Sequence, residues 1–196
     1  MQKQINNNEN MALNLLILGK TGVGKSSLVN ALVGREVAKV GGVKPQTPYG
    51  IFKYEAEIDG KKVNIYDSWG IERNEDAAKK WKELIKNELK KRGIDKDIKD
   101  WFHSVTYCTH VGVDKLEPFE KEIIKELLNE KYETIVVLTK AERIKQEEKK
   151  DYKNYIKYIK EKTGVNRVIK VSVNPQKTII MTETPKPFGL PEYKAA

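Results

Sequence analysis

The sequence predicts an α/β fold: a three-layer sandwich built on a mostly parallel six-stranded sheet that carries one antiparallel strand. Three observations lead there. Apolar runs of strand length alternate with amphipathic stripes at helical period along most of the chain, the pattern of successive β-α units. Two of the strand segments, 51–58 and 62–67, are joined by Asp59-Gly60, a pair suited to a tight hairpin and hence to one antiparallel neighbour. The glycine-bearing stretch Gly19-Lys20-Thr21-Gly22-Val23-Gly24-Lys25-Ser26 follows the first apolar run, 13–18, directly, placing a tight loop between a strand and a helix.

The remaining elements follow in order. A helix is expected over 25–33 after the first strand, then the hairpin 51–58 and 62–67, and a helix over 76–91 with Ala77, Ala78, Trp81, Leu84, Ile85 and Leu89 on one stripe. A strand near 104–109 precedes a helix at 117–129, whose stripe is Phe119, Ile123, Ile124, Leu127 and Leu128. The β-branched run Thr134-Ile135-Val136-Val137-Leu138 reads as a buried strand. A helix at 146–162 carries Tyr152, Tyr155, Ile156 and Ile159, and a strand at 168–173 closes the series. Each stripe has the spacing of a helix face turned to a core, which suits the tyrosines better than a base-stacking role.

The stretch 19–26 matches G-x-x-x-x-G-K-[ST] at every fixed position. Its glycines let main-chain N–H groups curl around phosphate oxygens, and the helix that follows turns its positive end to the same anion. The nucleotide contacts are therefore expected from Gly19, Thr21, Gly22, Val23, Gly24, Lys25, Ser26 and Ser27. Lys25 would bridge the β- and γ-phosphates, and the Ser26 hydroxyl would ligate Mg²⁺. This pattern leaves ATP and GTP open. Downstream, Asp67-Ser68-Trp69-Gly70 ends a strand; its carboxylate is placed to hold Mg²⁺ through water, and the Gly70 N–H to meet a γ-phosphate without side-chain hindrance.

Thr139-Lys140-Ala141-Glu142 follows the 134–138 strand and resembles the Thr/Asn-Lys-x-Asp guanine-reading motif of Ras-like GTPases. The resemblance implies that Lys140 packs over the base and that the acid accepts from the guanine edge. Glu142 stands where aspartate is usual, so its carboxylate reaches about one C–C bond farther and keeps bidentate geometry only if the loop backs away. In the same resemblance Ser172 and the Val173 main chain contact the guanine O6, and Thr47, in the glycine- and proline-bearing stretch 41–48, is the switch threonine that completes the Mg²⁺ shell when a γ-phosphate is present. Lys25, Thr47 and Gly70 form the implied catalytic set. Ser26, Thr47 and Asp67 form the implied metal set.

Together with Asn30-Ala31-Leu32-Val33-Gly34 and Lys44-Pro45-Gln46-Thr47, these motifs resemble the Era-like and septin-like branch of P-loop GTPases, in particular the bacterial 50S ribosome-binding GTPase domains. The resemblance covers residues 13–174 and implies a Ras-like P-loop NTPase fold, GTP or GDP with Mg²⁺ as ligands, and a nucleotide-dependent switch. The turnover it implies is slow: Ile71 follows Gly70 where many relatives carry a water-orienting glutamine. Gly22 stands where potassium-activated relatives have an asparagine. A catalytic group from a partner or a second copy of the chain is then required; Glu72 and Arg73 are near enough in sequence to act in trans, although solvated loop charges are the simpler reading of both. A septin-like assembly module with incidental turnover, and an ATPase, are the competing readings.

The ends differ in character. Residues 1–12 are polar and aperiodic and read as a disordered tail. After Asn174-Pro175 the segment 175–196 is rich in threonine and proline, then runs Phe188-Gly189-Leu190, which in the resembled family opens the helix that closes the sheet; either that helix is cut short or another segment replaces it. The formal net charge of +9, from 37 Lys+Arg against 28 Asp+Glu, suits an anionic partner such as RNA, the ribosome or a membrane surface, yet the lysines are interleaved with glutamates as on a solvated face. A homodimer through the nucleotide face is the other partner expected. The lone Cys108 reads as a buried reduced thiol, and His103 and His110 as structural residues. With no apolar stretch of about 20 residues and no signal-peptide core, the chain reads as cytoplasmic.

Overall fold

The computed structural model describes residues 11–38, 50–71, 75–93, 95–111, 115–143, 149–177 and 183–196. The expectations for residues 1–10, Thr47, Glu72 and Arg73 lie outside them. Six strands, β1 (Leu13–Gly19), β2 (Ile51–Ile58), β3 (Lys61–Ser68), β4 (Ser104–His110), β5 (Thr134–Thr139) and β6 (Arg167–Lys170), form one sheet in the order β2-β3-β1-β4-β5-β6. Only β2 and β3 pair antiparallel. Their turn is made by Asp59 at φ 50° and Gly60 at φ 76°, the two left-handed residues a two-residue hairpin needs.

Helices cover both faces. On one side α2 (Glu75–Lys91), α3 (Pro118–Asn129) and α4 (Lys149–Thr163) bury Trp81, Ile124 and Ile159 against Leu16, Leu18, Tyr107, Val136 and Leu138. On the other side α1 (Lys25–Val33) packs Leu28, Val29 and Leu32 on Ile17, Cys108, Ile135 and Val137. Neighbours in sequence thus face opposite cores, as the pleat requires. Parallel strands buried on both faces need nearly continuous apolar sequence, which is what β1 and β5 have.

The last strand departs from expectation. β6 ends at Lys170, not at 173. Val171 N–H still donates to the Leu138 carbonyl at 2.9 Å, but Ser172 exchanges two 2.9 Å main-chain hydrogen bonds with Phe188. The chain therefore leaves β5 to pair with its own C-terminal segment. That segment closes the α1 side of the sheet with a five-residue helix, α5 (Leu190–Lys194), whose Tyr193 is buried and lies 2.6 Å, hydroxyl to hydroxyl, from Thr106. Gly189 opens it at φ 82°, where a Cβ would sit 1.8 Å from the Lys170 carbonyl oxygen.

At the end of β1 remote from the glycine-rich loop, Asn14 acts as a polar staple. Its side-chain amide donates to the carbonyls of Lys99 (2.8 Å) and Trp101 (2.7 Å) and accepts from Asn64 (2.9 Å). Its main-chain N–H donates to Nδ1 of His103 at 2.9 Å. The imidazole must be unprotonated at that nitrogen to accept.

Candidate nucleotide-binding site

The C-terminal ends of β1, β3, β4 and β5 converge on the glycine-rich loop, where open parallel sheets place their ligands. The loop leaves β1 at Gly19, at φ 142°, where a Cβ would lie 2.3 Å from the Cys108 carbonyl oxygen. Nothing larger than glycine fits there. Lys25, the first residue of α1, folds back so that its ammonium donates to the carbonyls of Gly19 and Lys20, both at 2.9 Å, and only 7% of the residue is exposed. Burial lowers the Lys25 pKa, against the opposing pull of the Asp67 carboxylate. Ser26 and Ser27 lie half-buried in the first turn of α1, while Thr21 and Gly22 are exposed at the loop's tip.

Asp67 is 6% exposed at the end of β3. Burial raises its pKa to about 6, with Lys25 pulling the other way. Its Oδ1, and the hydroxyl of the adjacent Ser68, are buried and make no hydrogen bond among the described residues. An anionic oxygen left so is costly unless a cation or water meets it. The residues present suit a divalent ion: a buried carboxylate with one oxygen that meets no donor among the described residues, and the Ser26 hydroxyl in the first turn of α1. Burial pushes the Cys108 thiol up to about 12, which leaves it protonated and inert beneath the loop.

The segment after Asp67 docks on the loop. Lys20 and Ile71 form a parallel bridge, with Thr21 N–H donating to the Ile71 carbonyl (3.2 Å) and Ile71 N–H to that of Gly19 (3.4 Å). The Thr21 hydroxyl donates to the Gly70 carbonyl at 3.0 Å. A Cβ on Gly70 would come within 2.6 Å of three Thr21 atoms, Cα, N and Oγ1. The Ile71 side chain, 2% exposed, belongs to the core beside Trp69 and Trp81.

On the other flank, the Thr139 hydroxyl lies within hydrogen-bond reach of the carbonyls of Val23 and of Thr109, the latter at 3.0 Å. Lys140, at φ 54°, extends its ammonium to the Gly22 carbonyl at 2.6 Å. Glu142 follows in a short 3-10 turn, Ala141–Arg143, 7% exposed, and accepts from the Ser172 hydroxyl at 2.7 Å through Oε2. Val173, next along, is half-buried. Segments separated by more than a hundred residues are thus stitched directly to the glycine-rich loop. Sequence reading passed over Ser68, and also the ion pairs of Lys20 with Glu117 and Glu120, for which Glu117-Pro118 at a helix start was the only cue.

The sequence profile of the 50S ribosome-binding GTPase family matches residues 14–140, covering every strand from β1 to β5 and the motifs at Gly19–Ser26, Asp67–Gly70 and Thr139–Lys140. The translocase of chloroplast 34 homolog of Chlamydomonas reinhardtii is 28% identical over 159 residues, 74% of this chain and 38% of that protein. The tRNA modification GTPase MnmE of Helicobacter pylori is 34% identical over 148 residues, 73% of this chain and 29% of that one. The chain thus spans well under half the length of these curated relatives. Toc33 of Arabidopsis thaliana, solved in complex with Mg²⁺ and GMPPNP, superposes with a TM-score of 0.63 at 21% identity over 98% of this chain and 85% of that one. The sheet order, the loop geometry and the profile match agree, and the chain belongs to the 50S ribosome-binding GTPase family as a GTPase domain of Ras-like P-loop fold.

Proposed function

We propose that this site binds GTP and GDP with Mg²⁺ and hydrolyses GTP slowly, acting as a nucleotide-dependent switch. The observation that carries the reading is a buried Lys25 ammonium tied to the Gly19 and Lys20 carbonyls of the glycine-rich loop, together with a buried Asp67 carboxylate whose Oδ1 makes no hydrogen bond among the described residues. Lys25 and the loop amides hold the phosphates. Ser26 and Asp67 hold the metal, which neutralises phosphate charge, and Thr47 belongs to the same proposal. Gly70 presents its main chain to the terminal phosphate. Glu142, propped by Ser172, accepts from the base edge, while Thr139 and Lys140 tie that reader to Gly22 and Val23.

The proposal is tested by calorimetric titration with GDP, GTP analogue and ATP in Mg²⁺ buffer, and by phosphate release under multiple turnover. Guanine nucleotides should bind and ATP should not compete; tight ATP binding would favour the ATPase reading. Lys25→Ala should lower GDP affinity by at least about 100-fold, equivalent to about 3 kcal/mol. Retained affinity in that variant would refute the loop assignment. One observation favours a further component: Ile71 is buried in the core and cannot orient water. A group supplied in trans by a second copy docked on the nucleotide face is our reading, and mass measured with GDP against GTP analogue tests it. An RNA or membrane partner and a cytoplasmic location belong to the same proposal, tested by RNA and vesicle pull-down and by fractionation.

A further inference from the structure

We propose that Lys20 is a positioning residue through which the acidic N-terminus of α3 sets the geometry of the phosphate-binding loop; the inference rests on the nucleotide-site reading above. The side chain and main chain of this one residue face different elements. Its ammonium lies 2.8 Å from Glu117 Oε1 and 3.4 Å from Glu120 Oε2. Its carbonyl accepts from the Lys25 ammonium at 2.9 Å, and its backbone bridges to Ile71. Tension or slack at the α3 end is therefore transmitted to the lysine that grips phosphate and to the segment that carries Gly70.

The anchor is built into the core. Glu120 is 1% exposed, and its carboxylate accepts from the Tyr107 hydroxyl at 3.0 Å through Oε1 and from the Glu117 N–H at 2.9 Å through Oε2. Tyr107 is itself fully buried in β4, beside β1. A buried carboxylate is best held when hydrogen-bond donors and an apposed cation act together; Tyr107 and the Glu117 N–H supply the donors and Lys20 the cation. Glu117 is 45% exposed, so the outer half of the clamp stays open to solvent while the inner half is fixed. In this arrangement the Lys20 ammonium is committed to α3, and its effect on nucleotide passes through Lys25 and the main chain.

The test uses the whole chain and compares wild type with Lys20→Met, Lys20→Arg, Glu120→Gln and Glu117→Gln for kcat and KM in GTP turnover, with urea midpoints alongside. Loosening the loop should lower kcat by about tenfold in Lys20→Met and Glu120→Gln while KM stays within about twofold, the signature of lost transition-state positioning. Lys20→Arg should recover to within about threefold of wild type, and the Lys20→Met/Glu120→Gln double variant should be no slower than Lys20→Met alone. Glu117→Gln, at the half-exposed N-cap of α3, keeps an acceptor for the capping box and should move kcat in the same direction by about two- to threefold. Unchanged kcat and KM in variants whose urea midpoints fall would show a merely structural ion pair and overturn the proposal. Absence of GTP binding and turnover in wild type would overturn the underlying site reading instead.

Discussion

Ser172→Ala probes the proposed base-reading end of the site. The hydroxyl is 1% exposed and donates at 2.7 Å to Oε2 of Glu142, which is itself 7% exposed. A hydrogen bond to a charged group contributes about 1.5–3 kcal/mol. In the nucleotide-free protein, water entering the cleft takes over part of that bond, so folding stability should fall by about 1 kcal/mol. With a purine seated, water is excluded and the loss rises to about 2–3 kcal/mol. The difference of about 1–2 kcal/mol is the loss of affinity, about 5- to 30-fold in Kd for GDP. Titration calorimetry in Mg²⁺ buffer reads the Kd, and urea denaturation reads the stability. Glu142→Asp withdraws the carboxylate by about 1.5 Å and opens the same bond, so adding Ser172→Ala to that background should change Kd by less than about twofold. A GDP affinity in Ser172→Ala within twofold of wild type would refute the claim that Ser172 holds the reading carboxylate.

Gly70→Ala should separate the two docked loops, since its Cβ would meet Thr21 main chain at 2.6 Å, an overpacking cost of about 1–3 kcal/mol. GTP-analogue affinity should fall about tenfold while GDP affinity stays within about threefold, both by calorimetry; equal losses would contradict the assignment of Gly70 to the terminal phosphate. His103 carries a pH dependence. Burial lowers its pKa below 6.5, so the unfolded chain takes up the proton first as pH falls. The stability it contributes is complete above pH 6.5 and is lost as pH drops through the folded-state value. The urea midpoint should therefore decline from pH 6.5 down to the folded-state value and level off below it, and His103→Gln should flatten this part of the profile; an unchanged slope would exclude the Asn14–His103 bond as its source.

What sequence disclosed, and what it withheld, follows the range of the interactions involved. The glycine-rich loop is legible because its constraint is local: Gly19 and Gly24 hold left-handed φ values that few other residues adopt, and Lys25 contacts carbonyls only five and six residues away. The hairpin at Asp59-Gly60 and the apolar parity of β1 and β5 are local for the same reason. The expectation of a strand to 173 overshoots because Val171 and Val173 are strand formers, while the partner that draws the chain off β5, Phe188, lies beyond a threonine- and proline-rich segment that gives no local cue to the pairing. The Lys20 clamp was hidden likewise: Lys20 and Glu120 are a hundred positions apart, and an interior glutamate on an amphipathic helix reads as solvent-facing. The departure at Glu142 was visible as a residue type, but its pairing with Ser172 required the fold.

The strengths of the contacts around the loop are graded. On the base side the Lys140 ammonium meets the Gly22 carbonyl at 2.6 Å and the Thr139 hydroxyl lies within hydrogen-bond reach of the Val23 carbonyl, contacts that tie the loop to the end of β5. Toward Gly70 the main-chain bonds are 3.2 and 3.4 Å, at or beyond the long end of the N–H···O range. Two such bonds contribute at most about 1 kcal/mol each, less than a charge-assisted bond from a phosphate oxygen to the same backbone would return. A ligand that offers one more anionic oxygen than its product can therefore rearrange the Gly70 side while leaving the base reader in place. That asymmetry, with one wall of the loop tied to the end of β5 and the other held largely by long main-chain bonds, is what the proposed switch requires of a site that binds two nucleotides alike at the base and differently at the last phosphate.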